Sequence, residues 1–175
     1  MSFMKKTVFV ILAAIGFAAS VNAQSDYKSA IGVRLGTEYW DLISASLKTF
    51  IIPQGALEFN AGFGSRSRYS SNAGTVSASA AYQHHFDIKP VEGFKWFVGG
   101  GATIYNSFYK NNNGLHNDYD GFGLALFPTG GVDYKFAKIP LNVSADLRPT
   151  FRLAGPSAYN SVYASVGVSA RYVFK

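Results

Sequence analysis

The chain has 175 residues, with 16 lysines and arginines against 10 aspartates and glutamates, three histidines and no cysteine. An excess of +6 is too small to argue for a nucleic-acid partner. Without cysteine there is neither a disulfide framework nor a lipidated-cysteine anchor, so the fold must be held by burial, ladder hydrogen bonds or a surrounding solvent other than water.

The first 24 residues read MSFMKKTVFVILAAIGFAASVNAQ. Lys5 and Lys6 precede an apolar run from Val8 to Ala19, and Val21-Asn22-Ala23 offers the small or aliphatic residues that a signal peptidase inspects. This predicts a cleaved secretory signal peptide over 1–23. As a membrane anchor the run falls short of the roughly 20 apolar residues that a spanning helix needs. The expected mature unit is a single domain over 24–175, in which 14 basic residues exceed 10 acidic ones by 4.

Beyond residue 24 no helical periodicity is sustained, whereas apolar and polar residues alternate with a period of two throughout. The alternation predicts strands over 28–36, 41–51, 55–65, 75–87, 94–106, 120–136, 140–152 and 160–174. In chain order, one face carries Ile31, Val33 and Leu35, then Ile43 and Leu47, Leu57 to Phe63 by alternates, Val76 to Tyr82, Trp96 to Ile104, Phe122 to Val132, Leu141 to Phe151, and Val162 to Phe174. The opposite face carries Arg34, Ser46 and Lys48, Glu58 and Asn60, Ser77 and Gln83, Thr103, Asp133, Asn142 to Thr150, and Ser165 to Arg171. Unpaired charge on that second face could not fill the dry core of a soluble sandwich.

Two arrangements remain. The apolar face either lines a soluble, apolar-ligand-binding barrel or clothes a barrel that stands in lipid. The polar face favours the second, because it is rich in Gly, Ser, Asn and Thr, which fit the crowded interior of a narrow barrel, rather than in the long charged groups of a water-facing sheet. Connections support it as well: 52–54, 87–93 and 137–139 are fairly short, while 65–74, 107–119 and 154–159 are polar and mostly longer, with 37–40 a short exception. That is the plan of an up-and-down transmembrane barrel. Aromatics gather at two levels as interface belts do: Phe50, Phe86, Phe94, Trp96, Tyr134, Phe136, Tyr172 and Phe174 near the short turns, and Tyr39, Trp40, Tyr69, Tyr105, Phe122, Phe151 and Tyr159 near the longer connections. The fold class is therefore all-β, an eight-stranded antiparallel up-and-down transmembrane β-barrel.

Several stretches, AIGVRLG at 30–36, GALEFNAGFG at 55–64, FVGGGA at 97–102, IPLNVSADLRPTF at 139–151 and the closing VGVSARYVFK, together resemble the small eight-stranded outer-membrane barrels of Gram-negative bacteria, the OmpA/OmpX-like group. The resemblance covers essentially the whole mature chain, and its motifs are structural. It implies a barrel-only outer-membrane protein with both termini in the periplasm, acting as an anchor, adhesin or stress-related surface protein. It also implies insertion by the barrel-assembly machinery. Such barrels commonly end on an aromatic residue; here Phe174 is followed by Lys175.

Candidate chemistry begins with the polar face. Arg34, Lys48, Glu58, Asp133, Asp146, Arg148 and Arg171 are expected to form a structural network of paired charges that fills the lumen, the alternative being a conducting pore. With a tight turn at 52–54, Lys48 and Glu58 fall opposite one another, and Asp146 and Arg148 share a face. His84 and His85 fall at the short-turn end and His116 in a long connection, away from any His-x-Ser spacing, so a lipid-modifying enzyme is the alternative reading. The stretch KNNNGLHNDYDG at 110–121 is rich in oxygen ligands but departs from the EF-hand calcium spacing. Arg66 and Arg68 beside Tyr69 are candidates for lipopolysaccharide phosphates. Gly99-Gly100-Gly101 precedes no helix, so it cannot form a phosphate-binding helix N-terminus. No cofactor, metal or catalytic residue is assigned, and the expected partners are outer-membrane lipids and lipopolysaccharide, with the protein a monomer.

Overall fold

The computed structural model describes residues 27–68, 71–110, 121–155 and 162–174. The predicted leader, His116, the oxygen-rich 111–120 stretch, Tyr69 and Tyr159 lie outside those residues, as do the side chains of Arg66 and Arg68. Eight strands follow one another: β1 (Ser29–Glu38), β2 (Asp41–Ile52), β3 (Gly55–Arg68), β4 (Ser71–Asp87), β5 (Phe94–Lys110), β6 (Gly121–Lys135), β7 (Leu141–Ala154) and β8 (Val162–Phe174). Each pairs antiparallel with its neighbour in sequence, and β1 pairs with β8 to close the barrel. Closure leaves no free edge, although the β6–β7 ladder is interrupted between the Leu126–Phe151 and Gly130–Leu147 pairs.

Side chains follow the pleat. Ile31, Val33 and Leu35 point outward from β1, and Leu147 and Phe151 from β7, whereas Arg34, Lys48, Glu58, Asn142 and Arg171 are buried inside. Leu147 is 50% exposed while its neighbour Arg148 is 3% exposed. A barrel with charge enclosed and branched aliphatics outermost matches hydrocarbon as its outer solvent. It is the reverse of what a soluble apolar-ligand barrel requires. No helix among the described residues is long and apolar enough to cross a membrane; the crossing elements are strands.

The wall is uneven in height. β1 and β2 have 10 and 12 residues, β4 and β5 have 17 each. The polar stretch at 65–74, expected to be a connection, is instead mostly paired: β3 and β4 stay in register up to Arg68 opposite Ser71. Polar composition there reflects a hairpin that rises past the apolar band, where nothing selects for an apolar face.

The short-turn end carries the belt expected of it on its outer surface. Phe86 stacks on Trp96 at 4.3 Å, and Tyr134 meets Phe94 and Phe136 edge-on. Four residues assigned to belts face the other way. Tyr39, Trp40 and Tyr105 are buried together, and Phe50 packs inward against Tyr27 and His85. Tyr105 and Phe50 occupy lumen positions by simple alternation, while Tyr39 and Trp40 are carried inward by the β1–β2 turn.

Candidate functional site

The lumen is filled in three layers. At the end of the longer connections, the two-residue turn between β1 and β2 folds over the mouth. Trp40 stacks on Tyr105 with ring centres 4.8 Å apart and planes at 14°. Tyr39 and Tyr163 close on the Trp40 ring at 4.3 and 5.2 Å. The Ser77 hydroxyl donates to the Trp40 carbonyl at 2.7 Å, fastening the turn to β4. Space for the Tyr105 ring comes from Gly123, where a Cβ would lie 2.1 Å from it.

Beneath this layer runs a continuous ion network. Arg34 meets Asp41 at 2.5 Å and Asp146 at 2.7 and 3.2 Å, the second a bidentate pair. Asp146 Oδ1 also lies 2.8 Å from Arg148 Nε, a Coulombic contact whose angle does not make it a hydrogen bond. Arg148 Nη2 donates to Glu58 Oε1 at 2.5 Å and Arg171 Nη2 to Glu58 Oε2 at 2.8 Å. Asn60 and Gln83 donate to the same carboxylate at 3.0 Å each. Lys48 stands 3.9 Å from Glu58 and 2.5 Å from Asp133, which also accepts from Asn142 at 2.5 Å.

Four cations, Arg34, Lys48, Arg148 and Arg171, thus face four anions, Asp41, Glu58, Asp133 and Asp146. Glu38 adds a fifth buried carboxyl group, which accepts from Thr150 at 2.7 Å. Pairing of this density is what permits charge in a low-dielectric interior at all, since each ion alone would cost several kcal/mol. Glycine again supplies the room: a Cβ on Gly167 would sit 2.2 Å from Arg34 Nη2.

The third layer lies towards the short turns. Lys48 rests over the Phe97 ring at 4.9 Å, and His85 sits between Phe50 at 4.9 Å and Phe97 at 5.2 Å, its Nε2 3.8 Å from Asp133. His84 faces outward and shares a 3.3 Å hydrogen bond with the Tyr82 hydroxyl. Both histidines are at the short-turn end. Among the described residues no cluster of three or more His, Asp or Glu is placed to hold a metal ion.

All seven charged residues picked out by alternation are brought together. Lys48 and Glu58 are indeed opposite in register, yet their shorter contacts run across the lumen, to Asp133 and to the two arginines. Sequence reasoning missed Asp41, Glu38 and the aromatic fillers Phe97, Phe127 and Tyr105. Glu38 continues the β1 alternation two residues past the predicted strand end, so its signal was present. Asp41 was hidden by the register shift between Leu35 and Glu38, which sends Leu42 and Ile43 outward in succession.

No family model and no curated protein matches the sequence. Among solved structures, the chain is similar to the crystal structure of Neisserial surface protein A (NspA), 15% identical, covering 83% of this chain and 94% of that one with a TM-score of 0.57. CarO from Acinetobacter baumannii aligns over 87% of this chain and 100% of its own at 12% identity and a TM-score of 0.46. CarO2 from the same organism aligns over 86% and 100% at 11% identity and a TM-score of 0.40. With the closed eight-stranded architecture, the NspA likeness bears out the fold expected from the resemblance, that of the small outer-membrane barrels.

Proposed function

We propose that this small transmembrane barrel sits in a bacterial outer membrane, delivered there by the leader over 1–23, with both chain ends on the periplasmic side and the longer connections outside. Its role is structural or interactive: it stabilises the envelope or presents its outer hairpin and loops to a surface partner, without acting as an enzyme or a pore. The observation that carries this reading is the network of four cations paired with four anions, packed between two aromatic layers, with Trp40 and Tyr105 stacked at 4.8 Å above it. A water-filled path for ions needs mobile, hydrated charge, and these charges are spent on one another.

Lipopolysaccharide is the partner assigned to Arg66 and Arg68, whose backbones occupy the outer extension of β3, and the barrel-assembly machinery is the expected inserter of a monomer. Planar-bilayer recording of the purified protein tests the sealed lumen: the expected trace is flat, and large, steady open conductances would overturn it. Fractionation of outer membranes with heat-modifiable gel migration tests the location. Lipid A from cells with and without the protein should be identical; a modified species would instead favour the lipid-modifying alternative.

A further inference from the structure

The short-turn mouth differs from the sealed opposite end, because it opens into a cavity of about 830 Å³, within the roughly 300–1,000 Å³ typical of small-molecule sites. Part of its wall is apolar, formed by Phe50, Ile51, Ile52, Ile88, Val91 and Phe94. Ile51 and Ile52 at the end of β2, and Val91 in the β4–β5 turn, are exposed at the lip. The walls are also fixed. The β4–β5 turn is closed by Val91 N to Ile88 O and Ile88 N to Phe94 O, both 3.0 Å, and docks on β6 through Lys135 N to Gly93 O at 2.9 Å. Gly93, with φ of +77°, lets that turn lie against Lys135.

Charge around the cavity is one-sided. Lys28, Lys89, Lys95 and Lys135 line it together with Asp87, Glu92 and Asp133. Lys95 and Asp87 pair at 3.3 Å, and Asp133, at the inner end, is matched by Lys48 at 2.5 Å. What remains is Lys28, Lys89 and Lys135 against Glu92. Lys135 is buried, and its ammonium donates to the carbonyls of Phe136 and Ile139, which leaves one of its three N–H groups to meet a ligand.

From this juxtaposition of a fixed apolar cavity with an excess of lysine at its mouth, we infer that the short-turn end binds a single-chain amphiphile with an anionic head, carboxylate or phosphate. The alkyl chain lies along Phe50, Ile88 and Phe94, and the head meets Lys28, Lys89 and the remaining donor of Lys135. Size and charge complementarity select this occupant: the walls favour transfer of alkyl surface from water, and the rim disfavours a cationic head.

The test uses the mature barrel in zwitterionic nanodiscs, its fold first verified by heat-modifiable migration, with backbone-amide NMR as the readout. Octanoate, octyl phosphate, octyltrimethylammonium and inorganic phosphate are titrated separately. The expected result is saturable shifts at Phe50, Val91, Gly93 and Lys135 with the two octyl anions; which binds tighter identifies a carboxylate or phosphate source. Lys135→Met should weaken binding about tenfold or more, the loss of one charge-assisted contact. If that variant fails the migration check, Val91→Asp at the exposed lip should weaken binding in the same direction. Equal binding of octyltrimethylammonium, equal shifts from inorganic phosphate without a chain, or shifts confined to lipid-facing amides would overturn the proposal.

Discussion

Leu147 and Arg148 are adjacent on β7 and face different solvents. Leu147 stands half exposed on the outer surface, where the only demand is to be apolar. Arg148 stands between Glu58 and Asp146, beside the Phe127 ring at 5.2 Å, where shape, charge and reach are all fixed by neighbours. The outer face is thus governed by solvation, which many side chains satisfy, and the lumen by pairing, which few do. One backbone carries both regimes on alternate residues.

That contrast can be broken most severely at Glu58. Glu58→Ala should lower unfolding stability by about 3–5 kcal/mol, because Arg171 is left buried without its counter-charge and Arg148 keeps only Asp146; urea titration of the barrel refolded into liposomes measures it. Leu147→Arg attacks the other face and should cost about 2–4 kcal/mol at mid-membrane depth, seen as lost insertion in the same assay. The next two changes sharpen the comparison on neighbouring residues. Gly167→Ala adds one methyl group where Arg34 lies and should cost about 1–3 kcal/mol through forced repacking, read as a lower midpoint. Val166→Ile adds one carbon towards lipid from the preceding residue and should shift stability by less than about 0.5 kcal/mol. Equal costs for the last two would remove the distinction between the faces.

Most of the architecture was legible in the sequence because a strand's two-residue period maps directly onto two faces. Ile31, Val33 and Leu35 against Arg34 suffice to place β1. The strand count, the closure and the identity of seven buried charges follow from repeating that reading. Three things did not follow. The β1–β2 bulge breaks the period, so Asp41 reads as outward when it binds Arg34, and Tyr39 and Trp40 read as belt residues when they cap the lumen. Partnership across the lumen is the second: register gives the neighbour in the sheet, and so pairs Lys48 with Glu58, but it does not say that Asp133 on β6 reaches over to Lys48. The seal by Tyr105 and Phe97 was obscured by the same logic that finds small residues inside, since large rings fit only where Gly123 and Gly131 stand opposite.

Glu58 lies on β3 and its partner Arg171 on β8, 113 residues later. The strand that pairs with β1 to close the barrel is thus also the one that brings the Arg171 guanidinium to this carboxylate. A cylinder lacking β8 would hold an acid with an incomplete shell, and hydrocarbon is a poor place for it. The circle's closing stitch satisfies the backbone between β1 and β8 and the acid at its centre in one event. Completion thus has a chemical signature in the middle of the protein as well as along its seam.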